Sequence, residues 1–217
     1  MKRLLLILGF SLVLLPQPAR AAFVQGAVNN ANATSVTCTE PGNVTLGNLE
    51  IVGVKENGGA FGGTPITSTR VTTWNTVTTN SAVAYWYGKV TSTGAETVTV
   101  NLNLSNLVAI LCAEYSINTT NDTFTGVSAS SQNITTTKTN STLVCLAGGG
   151  ATIAFSGGAG FTLRETAILL TGPNGHLLLG DVDEASTGTY TCNTANGGSG
   201  VVIANFYVGV VAVPRHR

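Results

Sequence analysis

The chain has 217 residues, of which 43 % are apolar and only 9 % charged, with ten acidic and ten basic side chains. Apolar content this high at zero formal charge argues against a disordered chain. The cations stand singly, which argues against nucleic acid, whose binding needs clustered Lys and Arg to displace phosphate counterions.

In chain order the first element is a secretory leader. Lys2 and Arg3 precede an apolar run from Leu4 to Leu15, and Ala19-Arg20-Ala21-Ala22 supplies the small residues of an A-x-A cleavage site. The run is about twelve residues, short of the ~20 needed to span a bilayer. Cleavage after Ala21 or Ala22 is expected, with a secreted, extracellular or cell-surface location and no transmembrane anchor. Without Lys2, Arg3 and Arg20 the chain keeps seven basic residues against ten acidic ones, a net charge of −3. The expected organisation is a leader over 1–22, one β-sandwich domain over 23–213 and a short basic tail over 214–217, since sandwiches of about 200 residues commonly form one domain.

Past the leader, helical periodicity is nearly absent, and runs of β-branched and aromatic residues recur between Gly, Asn and Ser. Strands are predicted at Ser35–Thr39, Asn48–Val54, Ile66–Val77, Ala82–Val90, Glu96–Leu104 and Val108–Ile117. Further strands are predicted at Thr123–Ser130, Thr142–Ala147, Phe161–Leu169, His176–Val182, Gly188–Asn193 and Val201–Val210. From Thr97 to Leu104 apolar and polar residues alternate strictly, as in a strand with one wet face. Val108–Ala113 and Val201–Ala204 are apolar on both parities, as in central strands covered on both sides. Many short strands with no crossover helices predict an all-β, two-sheet antiparallel β-sandwich of jelly-roll type, with a closed eight-stranded barrel as the alternative.

Cys38, Cys112, Cys145 and Cys192 all follow the leader, and an even number in an exported chain points to disulfides. Three connectivities are open. Zinc fits poorly, because no two cysteines are close in sequence and the only histidines are His176 and His216. Cys112 and Cys145 lie in apolar runs, while Cys38 and Cys192 lie in more polar first and late strands, so the nested pairing Cys112 with Cys145 and Cys38 with Cys192 is predicted.

The order of several segments carries a resemblance: Gly47-Asn48-Leu49-Glu50-Ile51-Val52, Tyr85-Trp86-Tyr87-Gly88-Lys89, Thr97-Val98-Thr99-Val100, Glu114-Tyr115-Ser116 and Gly160-Phe161-Thr162-Leu163-Arg164. Over roughly Ser35 to Val208 the chain resembles a group of bacterial secreted β-sandwich domains, often of unassigned function, that share a GNLLVV…YYAKN…TVTV…EYSG…GFT.R pattern. It departs from that pattern at Ile117, where a Gly is usual, and in its four cysteines. The resemblance implies a fold and carries over no catalytic residue.

Three constellations could carry chemistry. Glu114 follows a buried run and could serve as an acid in a cleft, with Glu165, Asp181 or Asp183 as the second carboxylate a glycosidase needs. Asp181, Asp183 and Glu184 gather oxygens of the kind that suit Ca²⁺. Tyr85, Trp86 and Tyr87, with Trp74 on the preceding strand, could form an aromatic platform for sugar rings. Each has a structural counterpart: a carboxylate bonded to a loop, a solvated turn, and a core tryptophan between tyrosines. No Ser-His-Asp set can be assembled, because His176 sits in a Pro-Asn-Gly-His turn and His216 in the tail. The expectation is therefore a secreted, non-catalytic β-sandwich that binds glycan or a surface protein in an adhesion or surface-structure role. A carbohydrate-active hydrolase or lyase on a jelly-roll fold is the alternative from another class. No cofactor is expected beyond possible Ca²⁺.

Overall fold

A computed structural model describes residues 21–57, 61–79, 83–116, 119–124, 131–149, 153–156, 160–169, 175–195 and 198–208. The basic tail and all of the leader up to Arg20 lie outside the described residues. Strands β1 (Ala22–Val44), β2 (Leu49–Glu56), β3 (Phe61–Ser68), β4 (Val71–Thr79), β5 (Val83–Val90) and β6 (Gly94–Ser116) come from the first half of the chain. The second half supplies β7 (Thr119–Phe124), β8 (Ser131–Thr136), β9 (Ser141–Gly149), β10 (Ala154–Phe155), β11 (Thr162–Ile168), β12 (His176–Glu184), β13 (Gly188–Ala195) and β14 (Gly198–Val208). The expected all-β antiparallel sandwich is formed, from three sheets. The first runs β1-β6-β2-β5-β4 with β3 also on β6, the second β11-β12-β9-β14-β7, and the third β10-β13-β8.

Two strands predicted separately, Glu96–Leu104 and Val108–Ile117, are one 23-residue strand, β6, paired along its length with the equally long β1. This ribbon folds back on itself. Cys38 lies opposite Val98 in the ladder, yet its Cα is 6.1 Å from that of Cys112. Fourteen extended residues from Val98 to Cys112 would span roughly 45 Å, so the ribbon must bend between them. The polar segment Asn103-Leu104-Ser105-Asn106 and a register break between Ala33 and Ser35 mark that bend. The sequence pattern divides the two segments of β6 because Ser105 and Asn106 interrupt the apolar runs on either side.

The alternation within β6 explains the layering. Val98, Val100, Leu102, Val108, Ile110 and Cys112 face the inside of the fold-back, against Val36, Val52, Val54 and Trp86. Ala109, Leu111, Ala113 and Tyr115 face the other way and pack on Val144, Leu146, Leu177, Leu179 and Phe206 of the second sheet. The second sheet's far face, Leu143, Cys145, Ala147 and Leu178, packs on Ile134 and Cys192 of the third. Val108–Ala113 is thus covered on both sides, as its composition predicts.

The disulfides are Cys38–Cys112 and Cys145–Cys192, which corrects the nested pairing. The reason lies in the fold-back: Cys38 and Cys112 both point into the ribbon core, and Cys145 and Cys192 face each other across the second and third sheets. Each crosslink therefore stays within one half of the chain. Two disulfides are compatible with an extracellular location. No helix of the described residues is long and apolar enough to cross a membrane.

Candidate functional site

Four inward-facing stripes of the ribbon core end in a glutamate. Along β1 the series is Val36, Cys38, Glu40; along β2 it is Val54, Val52, Glu50; along β6 it is Val100, Val98, Glu96 in one direction and Ile110, Cys112, Glu114 in the other. A period of two keeps each glutamate on the same face as its apolar predecessors. All four side chains are buried.

Two of these acids are fully engaged. Glu114 Oε1 accepts from the Thr45 backbone N–H at 2.8 Å and Asn48 Nδ2 at 2.6 Å, and Oε2 accepts from Gln25 Nε2 at 2.7 Å. Glu96 accepts from the Ser68 and Thr69 hydroxyls, the latter at 3.1 Å. Glu40 and Glu50 are not engaged in this way. Their carboxyls face each other beside the Cys112 sulfur, with ligand-capable atoms of all three within 4.8 Å of one another. No donor from the described residues reaches any of their four oxygens. Burial, eased by the facing Glu50 carboxyl and reinforced by the carboxylates of Glu114, Glu165 and Glu96, pushes the Glu40 carboxyl up to about 8. Burial, then Glu40, pushes Glu50 well above the ordinary carboxylate range.

The residues singled out from sequence are placed differently from a platform or a catalytic pair. Tyr85 and Trp86 are fully buried on opposite faces of β5, and Tyr87 is half-buried against Phe206. Trp74 is half-buried against both the ribbon core and a smaller cluster of Val44, Val71 and Val90. Tyr85 and Trp86 fill cores, because β5 is covered on both faces where they stand, while Tyr87 and Trp74 are only partly covered.

Glu114 and Asp181 lie on opposite sides of β6, since Glu114 faces the ribbon core and Asp181 follows Leu177 and Leu179 on the face turned to Tyr115. Asp181 is clamped by Arg164, whose Nε donates to both carboxylate oxygens at 2.9 and 3.0 Å and whose Nη2 lies 2.8 Å from Oδ1. Asp183 is exposed and accepts from Thr142 Oγ1 at 2.7 Å. Glu184 stands on the other face of β12 with Val182, so the three acids do not converge.

Two surface depressions remain. One, of about 280 Å³, is polar and lined by Phe23, Thr162, Arg164, Asp181 and Asp183. The other, of about 360 Å³, is apolar and lined by Ile153, Phe155, Phe161, Leu163, His176 and Leu178. In it the Phe155 and Phe161 rings stand 5.8 Å apart at 33°, both half-buried against the core that holds Leu178 and Cys192. Gly180 lies beneath: a Cβ there would strike the Phe155 ring and come within 3.0 Å of the Thr162 carbonyl. Sequence reading missed this pair because Phe155 and Phe161 sit on separate short segments that only the fold brings together.

No family model matches this chain, and neither does any curated protein or solved structure.

Proposed function

We propose that the protein is a secreted, non-catalytic β-sandwich that binds glycan at or outside the cell surface, with the Phe155–Phe161 depression as its recognition surface. The observation that carries this reading is the pair of neighbouring, partly exposed rings lining a surface depression, where an apolar sugar face can stack. His176 and Thr166 at its margin offer hydrogen-bonding groups to hydroxyls. The leader motif, the two disulfides and the scarcity of charge support an extracellular setting. The engagement of Glu114 by three donors and of Asp181 by Arg164 weighs against a glycosidase built on those acids.

A glycan array screened with the full mature protein tests the reading. Phe161→Ala should weaken retention of any hit about tenfold, equivalent to about 1.4 kcal/mol. Because the ring also packs on the core that holds Leu178 and Cys192, the variant is assayed well below its own melting temperature, so that lost retention reports the site and not unfolding. Unchanged retention in Phe161→Ala would remove this depression as the site, and sugar release by the wild-type protein would restore the hydrolase.

A further inference from the structure

The Glu40–Glu50 pair is the least satisfied group of polar atoms described in the molecule. Glu50 is 0 % exposed and Glu40 5 %, and four carboxylate oxygens lie in the ribbon core without a donor. Buried oxygens in native proteins are almost always satisfied, and a cluster left open marks the place of a bound water or ion. The electrostatic surroundings point the same way. The charges that bear most on Glu40 are carboxylates, Glu114 and Glu96 on β6 and Glu165 on β11, and Glu50 on β2 faces it directly.

We propose that Glu40 and Glu50 together hold a calcium ion. The ligands are hard oxygens only, which selects Ca²⁺ or Mg²⁺ over zinc or copper. Cys112 touches the cluster, but its sulfur is committed to Cys38 and supplies no thiolate. Mg²⁺ keeps several of its waters in a strict octahedron, whereas Ca²⁺ accepts bidentate carboxylates in irregular geometry, which suits two facing glutamates in a dry core. One proton shared between the two carboxyls would satisfy one oxygen from each, whereas a cation between them would draw on an oxygen of each and could take either carboxylate as a bidentate ligand.

Access exists from one side. Glu40 opens a three-residue bulge, Glu40-Pro41-Gly42 opposite Glu96, in the edge strand β1, and Pro41 and Gly42 are exposed. Water entering there can complete the coordination. Binding would tie β1 to β2 across β6, so the ion would act as a clasp at the end of the ribbon core opposite its bend. This inference is independent of the glycan reading, since none of its residues lines the Phe155–Phe161 depression.

The test uses the full mature protein with its disulfides intact. Against EDTA, about 10 mM CaCl₂ should raise the melting temperature by on the order of 5 °C, as expected for a site of about 10⁻⁴ M affinity in a domain of this size. Equal MgCl₂ should give less than half of that. Glu40→Gln and Glu50→Gln should each abolish the calcium increment. Because a variant that fails to fold is silent, equilibrium dialysis of the wild-type protein against radioactive calcium gives a second readout, with about one ion bound per chain. A calcium increment that survives in both variants would overturn the proposal, as would no increment together with no bound ion.

Discussion

At Glu114 three donors from two separate places converge on two oxygens: Gln25 from β1, and Thr45 and Asn48 from the turn into β2. That turn needs Gly47, whose φ of 89° is in the left-handed region open to glycine, and it closes with Asn48 N–H donating to the Thr45 carbonyl at 3.1 Å. The Gly47-Asn48 and Glu114-Tyr115 segments thus meet one another, as latch and catch. Glu114→Ala should cost about 3–5 kcal/mol, because it strands buried donors as well as removing charge-assisted bonds. Chemical denaturation of the purified variant measures this, and a cost below about 1 kcal/mol would make the latch incidental. Glu40 gives a pH signature in chelator. Its carboxyl sits at about 8 in the folded chain against 4.5 when free, so folding favours the protonated form. The metal-free protein should be most stable near pH 5 and lose stability as pH rises to about 8, with Glu40→Gln flattening that slope. These acids were legible in part. The alternation that places Glu40, Glu50, Glu96 and Glu114 on buried faces is plain in the sequence, but that four stripes end together depends on the ribbon's bend, which no local pattern encodes.

Among the elements, most strands announce themselves by β-branched runs between turn residues, and β2, β5, β9, β12 and β13 fall where predicted to within a few residues. Those that were missed have a common cause. The first part of β1, from Ala22 to Thr34, and strand β8 are rich in Asn, Ala, Ser and Gln, poor strand formers that hold their place by pairing with β6 and β13. The disulfides were misassigned for the same reason, since pairing depends on which layers face each other. Each one closes a layer pair, with sequence separations of 74 and 47 residues. In the chain-entropy model either is worth about 4 kcal/mol. Replacing Cys145 and Cys192 together by Ala should therefore lower stability by about 2–4 kcal/mol and speed amide exchange first in β8 and β13, which depend on that link for attachment to the second sheet. Exchange that accelerates equally in β1 and β6 would contradict this layer-by-layer assignment.

On the scale of the whole molecule, the ribbon core belongs to the first half of the chain and the outer core of the second and third sheets to the second half, each with its own disulfide. Between them lies the largest of the buried clusters, to which both halves contribute: Leu49, Ile51, Tyr85, Leu111 and Tyr115 from one side, Val144, Leu146, Leu177, Leu179 and Phe206 from the other. No disulfide crosses it, so apolar contact holds the halves together, with a few polar links at its margin such as Asn30 Nδ2 donating to the Ile168 carbonyl at 2.9 Å and Thr142 Oγ1 to the Ala21 carbonyl at 3.1 Å, and neither half can hide its inner sheet without the other. Separation would expose a contiguous apolar face of the kind soluble proteins rarely tolerate. Unfolding should therefore be a single calorimetric transition despite two internally crosslinked halves, with van't Hoff and calorimetric enthalpies in agreement. Leu111→Ala, at the centre of this interface and 0 % exposed, should cost about 2–5 kcal/mol and shift that one transition without splitting it. A fragment of residues 22–116 should bind a hydrophobic dye strongly or self-associate, because the face bearing Tyr85, Leu111 and Tyr115 would be bare. Two resolved transitions, or a monomeric fragment that leaves the dye dark, would mean that the halves are autonomous and merely adjoin.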